Sequence, residues 1–214
     1  MACTAVAALL VGAAACGSAP GGTAGRAGTP GPAAAEAVAL GPEFPEPAKR
    51  VVLEQAARDG RAPAGGRTAV ANFGVNWPPS LVWQAESSGD ICAAQAPQVG
   101  GVLTQCAKAT DIKSRPTPGV GVILSYRLAK SDTWEGWNIL LLASAETVER
   151  ISCQQQDFPV RKALAVTVGG VLRTVYAVTV PADMAGTHQA AVRRGDALAV
   201  DQVRIDPEGR AVQC

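Results

Sequence analysis

The sequence predicts a mainly β protein: an antiparallel β-sandwich-like domain with one short N-terminal helix, placed after a signal peptide and a flexible tether. Three observations carry this. From residue 68 onward, short runs rich in Val, Ile, Leu and Thr are separated by Gly-, Pro- and Asp-bearing turns, the spacing of a sandwich. In one of them Thr174, Tyr176, Val178 and Val180 alternate with Val175, Ala177 and Thr179, the period of a strand with one apolar face. The composition is 48% apolar but only 4% aromatic, so the core is built from small side chains that each contribute little. Cross-links would compensate, and four cysteines fall inside the β region.

Residues 5–15 (AVAALLVGAAA) form an apolar run of secretory length, too short to span a bilayer. Small residues Ala13, Ala14 and Ala15 stand before Cys16, and the breaker-rich stretch GSAPGGTAGRAGTPGPAAA follows it. This order resembles a bacterial lipoprotein signal. The resemblance implies cleavage before Cys16, lipid on the new terminal cysteine and anchorage to the outer face of the cell membrane. Ala13 stands where that pattern more often has Leu. Residues 1–4 lack Lys and Arg, so a basic segment is expected upstream of Met1. The same residues also fit an ordinary secretory signal cut after Ala15 without lipid, or a plain apolar tail. The expected organisation is a signal peptide at 1–15, a lipidated cysteine with a Gly/Ala/Pro-rich tether at 16–45, and a disulfide-braced β-rich domain at 46–214. That domain is divisible into 46–130 and 131–214.

Residues 46–58 (EPAKRVVLEQAAR) read as the helix: Pro47 suits a first turn, Val51, Val52, Gln55 and Ala56 share a face, and Asp59-Gly60 can end it. Strand candidates follow at 68–73, 81–85, 120–128, 137–143, 148–155, 160–168, 172–181, 198–205 and 210–214. The segment GDICAAQAPQVGGVLTQCAKA reads as a cysteine-bridged hairpin turning near Gly100-Gly101. Asp206-Pro207-Glu208-Gly209 reads as a type I turn joining the last two strands.

Once Cys3 leaves with the signal and Cys16 takes lipid, Cys92, Cys106, Cys153 and Cys214 remain. An even number in an exported chain reads as disulfides, with three pairings open. The favoured pairs are Cys92–Cys106, closing the hairpin, and Cys153–Cys214, pinning the last residue to a strand. No C-x-x-C spacing occurs and the single histidine is remote from any cysteine pair, which argues against zinc.

Two features together are similar to exported lipoproteins and membrane-tethered proteins of high-GC Gram-positive bacteria. The first is a Trp-bearing strand followed by a cysteine hairpin, LVWQAESSGDICAAQ then GGVLTQC. The second is the strand set VERISCQQQDFPVRKALAVTVGGVLRTVYAVTVP then ALAVDQVRIDPEGRAV, ending on a hairpin carried by Asp206, Gly209 and Arg210. The similarity covers residues 46–214. It implies a location and a fold; the group has no established activity.

Nineteen basic and eighteen acidic residues give a net charge of +1, so no basic face for nucleic acid is expected. No haem, phosphate-loop or calcium-loop signature occurs, and no cofactor is expected. His188, the sole histidine, lies in the loop-like PADMAGTHQAA, and no G-x-S-x-G accompanies it. It therefore reads as an exposed loop residue rather than a triad base. The cysteines read as paired rather than nucleophilic. Glu86, Asp90, Asp132 and Glu135 read as solvated turn residues rather than a glycosidase pair. Trp77 and Trp83 read as packing residues. The segment SDTWEGWN is the candidate ligand site: Trp134 and Trp137 at a hairpin tip offer stacking area, with Asp132, Glu135 and Asn138 to bond hydroxyls. The competing and favoured reading is that Trp137 begins a strand and packs inward while Trp134 covers the sheet end. No catalytic or metal site is expected.

The expected function is a membrane-anchored extracytoplasmic binding or structural module, with a cell-wall polymer or a protein as partner. A secreted enzyme, an inhibitor of a protease or wall enzyme, and an accessory subunit of a membrane complex are the alternatives.

Overall fold

A computed structural model describes residues 43–96, 101–131 and 134–205; the side chains of 128–131 and 134 lie outside that description. Helix α1 spans Glu46–Arg58, with Pro in its first turn and Asp59 as its C-cap. Gly60 follows at φ 68°, the left-handed conformation that ends helices at least cost. Val52 and Ala56 are the buried residues of α1, whereas Val51, assigned to the same face from sequence, is 42% exposed.

Among the described residues the strands form three four-stranded antiparallel sheets. The first is β1 (Ala69–Ala71), β2 (Ser80–Gln84), β3 (Ile91–Gln95) and β4 (Thr104–Ala107), in that order. A second short helix, α2 (Ala109–Lys113), follows β4 and was not foreseen in the sequence. The remaining strands are β5 (Gly119–Ser131), β6 (Trp134–Ser144), β7 (Thr147–Cys153), β8 (Gln156–Phe158), β9 (Arg161–Val168), β10 (Val171–Pro181), β11 (Gly186–Arg194) and β12 (Ala197–Ile205). They pair as β5-β6-β10-β9 and as β12-β11-β7-β8. Four consecutive hairpins therefore alternate between two sheets, and the antiparallel sandwich is built from them. The boundary between residues 130 and 131 falls within the β5–β6 hairpin.

The core clusters show how the layers stack. Leu81, Trp83, Ala85, Cys92 and Ala94 of the first sheet pack against Val52 and Ala56 of α1. On its other face, Ala71, Val82, Ile91 and Ala93 meet Leu140, Leu142, Val175 and Ala177 of the central sheet. The central sheet's opposite face sends Ile139, Leu141, Ala143, Tyr176, Val178 and Val180 against Val148, Ile151, Phe158, Ala190, Val192, Val203 and Ile205 of the third sheet. The layers run helix, sheet, sheet, sheet.

This stacking corrects the expectation of one apolar face on the 172–181 strand. Residues 173–178 are all buried, because β10 is covered on both sides. It also explains the continuous apolar run ILLLA in β6, the pattern of a strand buried on two faces. In β5 the pairing register shifts between Val122 and Leu124. Val120 and Val122 thus face the third sheet, while Leu124 and Tyr126, of the same parity, face the first.

The hairpin β7–β8 turns through Gln154 (φ 47°) and Gln155 (φ 69°), both left-handed, so the strand read through residue 155 stops at Cys153.

Candidate functional site

Strand geometry separates the residues that the sequence groups around SDTWEGWN. Successive side chains on a strand point to opposite faces, and Trp137 and Asn138 are successive on β6. Trp137 is partly buried against the core shared with the third sheet, and the Arg127 guanidinium lies 5.9 Å from its ring centroid. Arg127 also pairs with Glu135. Trp134 opens β6 opposite Ser131, and its side chain lies outside the description. Asp132 and Thr133 lie outside the described residues, and both tryptophan backbones belong to strand β6.

Asn138 points the other way, fully buried on the face toward the first sheet. Pairing register sets Thr179 of β10 and Tyr126 of β5 on either side of it. A row of three polar side chains therefore crosses the sheet, and the next row on the same face is apolar, with Leu124, Leu140 and Ala177. The Thr179 hydroxyl lies 2.9 Å from Asn138 Oδ1 and 3.2 Å from the Phe73 carbonyl oxygen, which ties the row to the loop leaving β1. That loop is locally ordered: Gly74 N–H donates to Asn72 Oδ1 at 2.9 Å, and Trp77 N–H donates to the Gly74 carbonyl at 3.2 Å. Gly74 has φ 121°. A Cβ there would lie 3.6 Å from Trp77 Cδ1 and 3.8 Å from Arg161 Nη1, so an indole and a guanidinium converge on the same spot.

The site is rich in donors without acceptors. Tyr126 Oη, Asn138 Nδ2 and Arg161 Nε are buried and have no hydrogen-bond partner, and Ser80 Oγ on β2 is in the same condition. Leaving such a group unpaired costs about 1–3 kcal/mol, and folded proteins carry few of them. Burial pushes the Tyr126 phenol far above its ordinary value, so the hydroxyl keeps its proton as a donor. Tyr126 and Asn138 are closed off in the core, whereas Trp77 and Arg161, which meet at Gly74, are partly exposed, and an indole face beside a guanidinium suits a polar ligand. The sequence signal was Asn138 itself, a polar residue opening an apolar run; its row became visible only through register.

The other residues singled out in the sequence have structural partners. Trp83 is fully buried and donates its indole N–H to the Arg61 carbonyl at 2.7 Å. Asp90 Oδ1 accepts from Ala109 N–H at 2.8 Å, at the start of α2. Glu86 is exposed in the turn after β2. The carboxylates that the fold does bring together are Glu146 and Asp201, with Arg194 between them: Nε donates to Glu146 at 2.8 Å and Nη2 to both Asp201 oxygens at 2.6 Å. Burial raises the Glu146 carboxyl, opposed by its bond to Arg194. A disulfide joins Cys92 and Cys106, directly opposite each other on β3 and β4. Cys153 is buried and disulfide-bonded; Cys214 lies outside the described residues, as does Cys16. Among the described residues no group of three His, Cys, Asp or Glu is placed to hold a metal ion.

His188 is a correction. It lies on β11 and is fully buried, not exposed in a loop. Gly186, His188, Ala190 and Val192 alternate inward from that strand, and the Ala-rich sequence hides the pattern. The ring meets Phe158 edge-on, centroids 5.8 Å apart, and its Nδ1 is 3.2 Å from the Gly186 carbonyl oxygen. Burial lowers its pKa, with the Gly186 bond opposing. The unfolded chain therefore binds the proton more readily than the folded one. Stability from this group is complete above about pH 6.5 and is lost as pH falls through the lower folded value. As the only histidine, it gives one resolvable imidazole titration. We expect its ring protons in the folded protein to titrate below pH 6.5, and His188→Gln to flatten the stability slope between pH 7 and 5. A ring titrating at or above 6.5 would contradict this placement.

No protein family, curated protein or solved structure matches this chain.

Proposed function

We propose that this chain is an exported lipoprotein of the high-GC Gram-positive type, tethered through Cys16, whose β domain binds a polar ligand at the cell surface. A cell-wall polymer, with its dense hydroxyl and carbonyl oxygens, is the ligand class that fits. The observation that supports the binding reading is the meeting of Trp77 and Arg161, both partly exposed, at Gly74 in the loop that the Asn138–Thr179 pair holds through the Phe73 carbonyl. A non-enzymatic role is supported by the burial of His188, which removes the one imidazole from contact with a substrate.

Trp77→Ala and Arg161→Gln test the binding reading. Both side chains are partly exposed, so the folded β signature is expected to persist in each variant. If the indole stacks on ligand, retention of the full chain on insoluble wall polymer drops about tenfold in Trp77→Ala, a loss of about 1.4 kcal/mol. Equal retention by the variants and the wild type, or none by any of them, would rule this site out. The address is tested by the intact mass of the protein from the membrane fraction: a chain beginning at Cys16 and carrying acyl groups is expected, and an unmodified chain retaining residues 1–15 would overturn it.

A further inference from the structure

At the opposite end of the central sheet from the Asn138 row, two arginines sit together without a carboxylate. Register aligns Gly119 of β5, Ser144 of β6 and Arg173 of β10 in one row. Arg173 is 2% exposed, an extreme burial for a guanidinium. Its Nη1 donates to Ser144 Oγ, and its Nε has no hydrogen-bond partner. Arg115, just beyond α2, reaches over the start of β5 and donates from Nη2 to the Val122 carbonyl at 2.6 Å. Glycine makes room for it: a Cβ on Gly121 would stand 2.5 Å from Arg115 Nη1. Among the described residues neither guanidinium has a carboxylate oxygen within 4.0 Å. Lys113 adds a third cation at this end, its Cγ 3.4 Å from the position of a Cβ on Gly169 in the β9–β10 turn.

Charge reinforces the geometry. Burial and then the nearby Arg173 charge lower the pKa of Arg115, while Asp111 of α2 acts in the other direction. Two cations placed side by side in a partly desolvated position repel, and a buried charge is normally matched by an opposite one. The planar guanidinium fork matches carboxylate and phosphate oxygens. Ser144 Oγ accepts from Arg173, which leaves its own proton available to donate.

We propose that Arg173, Ser144 and Arg115 form a binding site for a small oxyanion group, a phosphate or a carboxylate. The anion supplies the missing acceptor to Arg173 Nε and offsets the repulsion between the two guanidinium groups. This site is separate from the Asn138 row, and each stands or falls without the other.

The test is thermal unfolding of the full chain at fixed ionic strength, exchanging sodium chloride for sodium phosphate or for sodium acetate. Anything bound by the folded state alone raises the midpoint in proportion to the logarithm of its concentration. A rise in phosphate assigns the site to phosphate groups, and a rise in acetate alone assigns it to carboxylates. Arg115→Gln is expected to need at least ten times more anion for the same rise. Because Arg173 is buried within the fold, the second variant is Gly121→Ala, which displaces the Arg115 guanidinium by contact and is expected to weaken binding likewise. Identical midpoints in all three salts, or a rise that persists undiminished in both variants, would overturn the proposal.

Discussion

Trp83→Ala is expected to cost about 3–5 kcal/mol, the range for truncating a fully buried aromatic. Trp83 is wholly shielded and lies in the layer between α1 and the first sheet, among Leu81, Ala85, Cys92 and Ala94. The residues around it are mostly small, so they cannot move in to fill a vacated indole, and the cost belongs at the upper part of that range. The indole N–H also satisfies the Arg61 carbonyl just beyond the helix, which joins the end of α1 to β2. A domain of this size is stable by about 5–15 kcal/mol in total, so one side chain accounts for a large share. Urea unfolding of the variant should show a lower midpoint with an unchanged slope. Trp83→Phe keeps most of the packing and loses the hydrogen bond, and is expected to cost about 1–2 kcal/mol. A loss below about 1 kcal/mol for the alanine variant would mean that α1 contributes little to the folded state.

The legible parts of this fold were those fixed by local chemistry. Helix α1 was readable to the residue, because Pro47 and Asp59-Gly60 are local start and stop signals. Strand β6 was readable because burial on both faces writes an unbroken apolar run. What escaped depends on a third layer. The outer sheet makes β10 apolar on both faces and buries His188, yet β11 is too rich in Ala and Arg to announce itself as a strand. The same holds for the candidate sites. Asn138 stands beside Trp137 in sequence and on the opposite face in space, and its neighbours Tyr126 and Thr179 come from other strands. Arg115 and Arg173 are brought to one end of the sheet only by the β5 register and the packing of α2. Pattern reading finds strands; register decides which of their polar residues meet.

The Cys92–Cys106 disulfide is expected to contribute about 3 kcal/mol, since it closes a loop with a sequence separation of 14 and a loop of that length loses about this much conformational freedom in the unfolded chain. Replacing both cysteines by alanine should lower the midpoint of thermal unfolding by about 6–12 °C for a domain of this size. The double variant is more informative than reductant, which also attacks the Cys153 disulfide. The native-state effect should concentrate in β4. That strand has four residues, each only partly buried, and pairs on one side with β3 alone. Without the cross-link, amide exchange in residues 104–107 should rise more than in β2 or β3. The coupling to Trp83 makes the argument sharper. Register places Trp83 opposite Cys92 and Cys92 opposite Cys106, so the three form one row beneath α1. Residues in contact do not lose stability independently. Once Trp83 is truncated, the layer around the disulfide is already loosened, and removing the bridge should then cost less than it does in the wild type. A triple variant whose loss equals the sum of the two within about 0.3–0.5 kcal/mol would show that the bridge acts only on the unfolded chain and owes nothing to the packing around it.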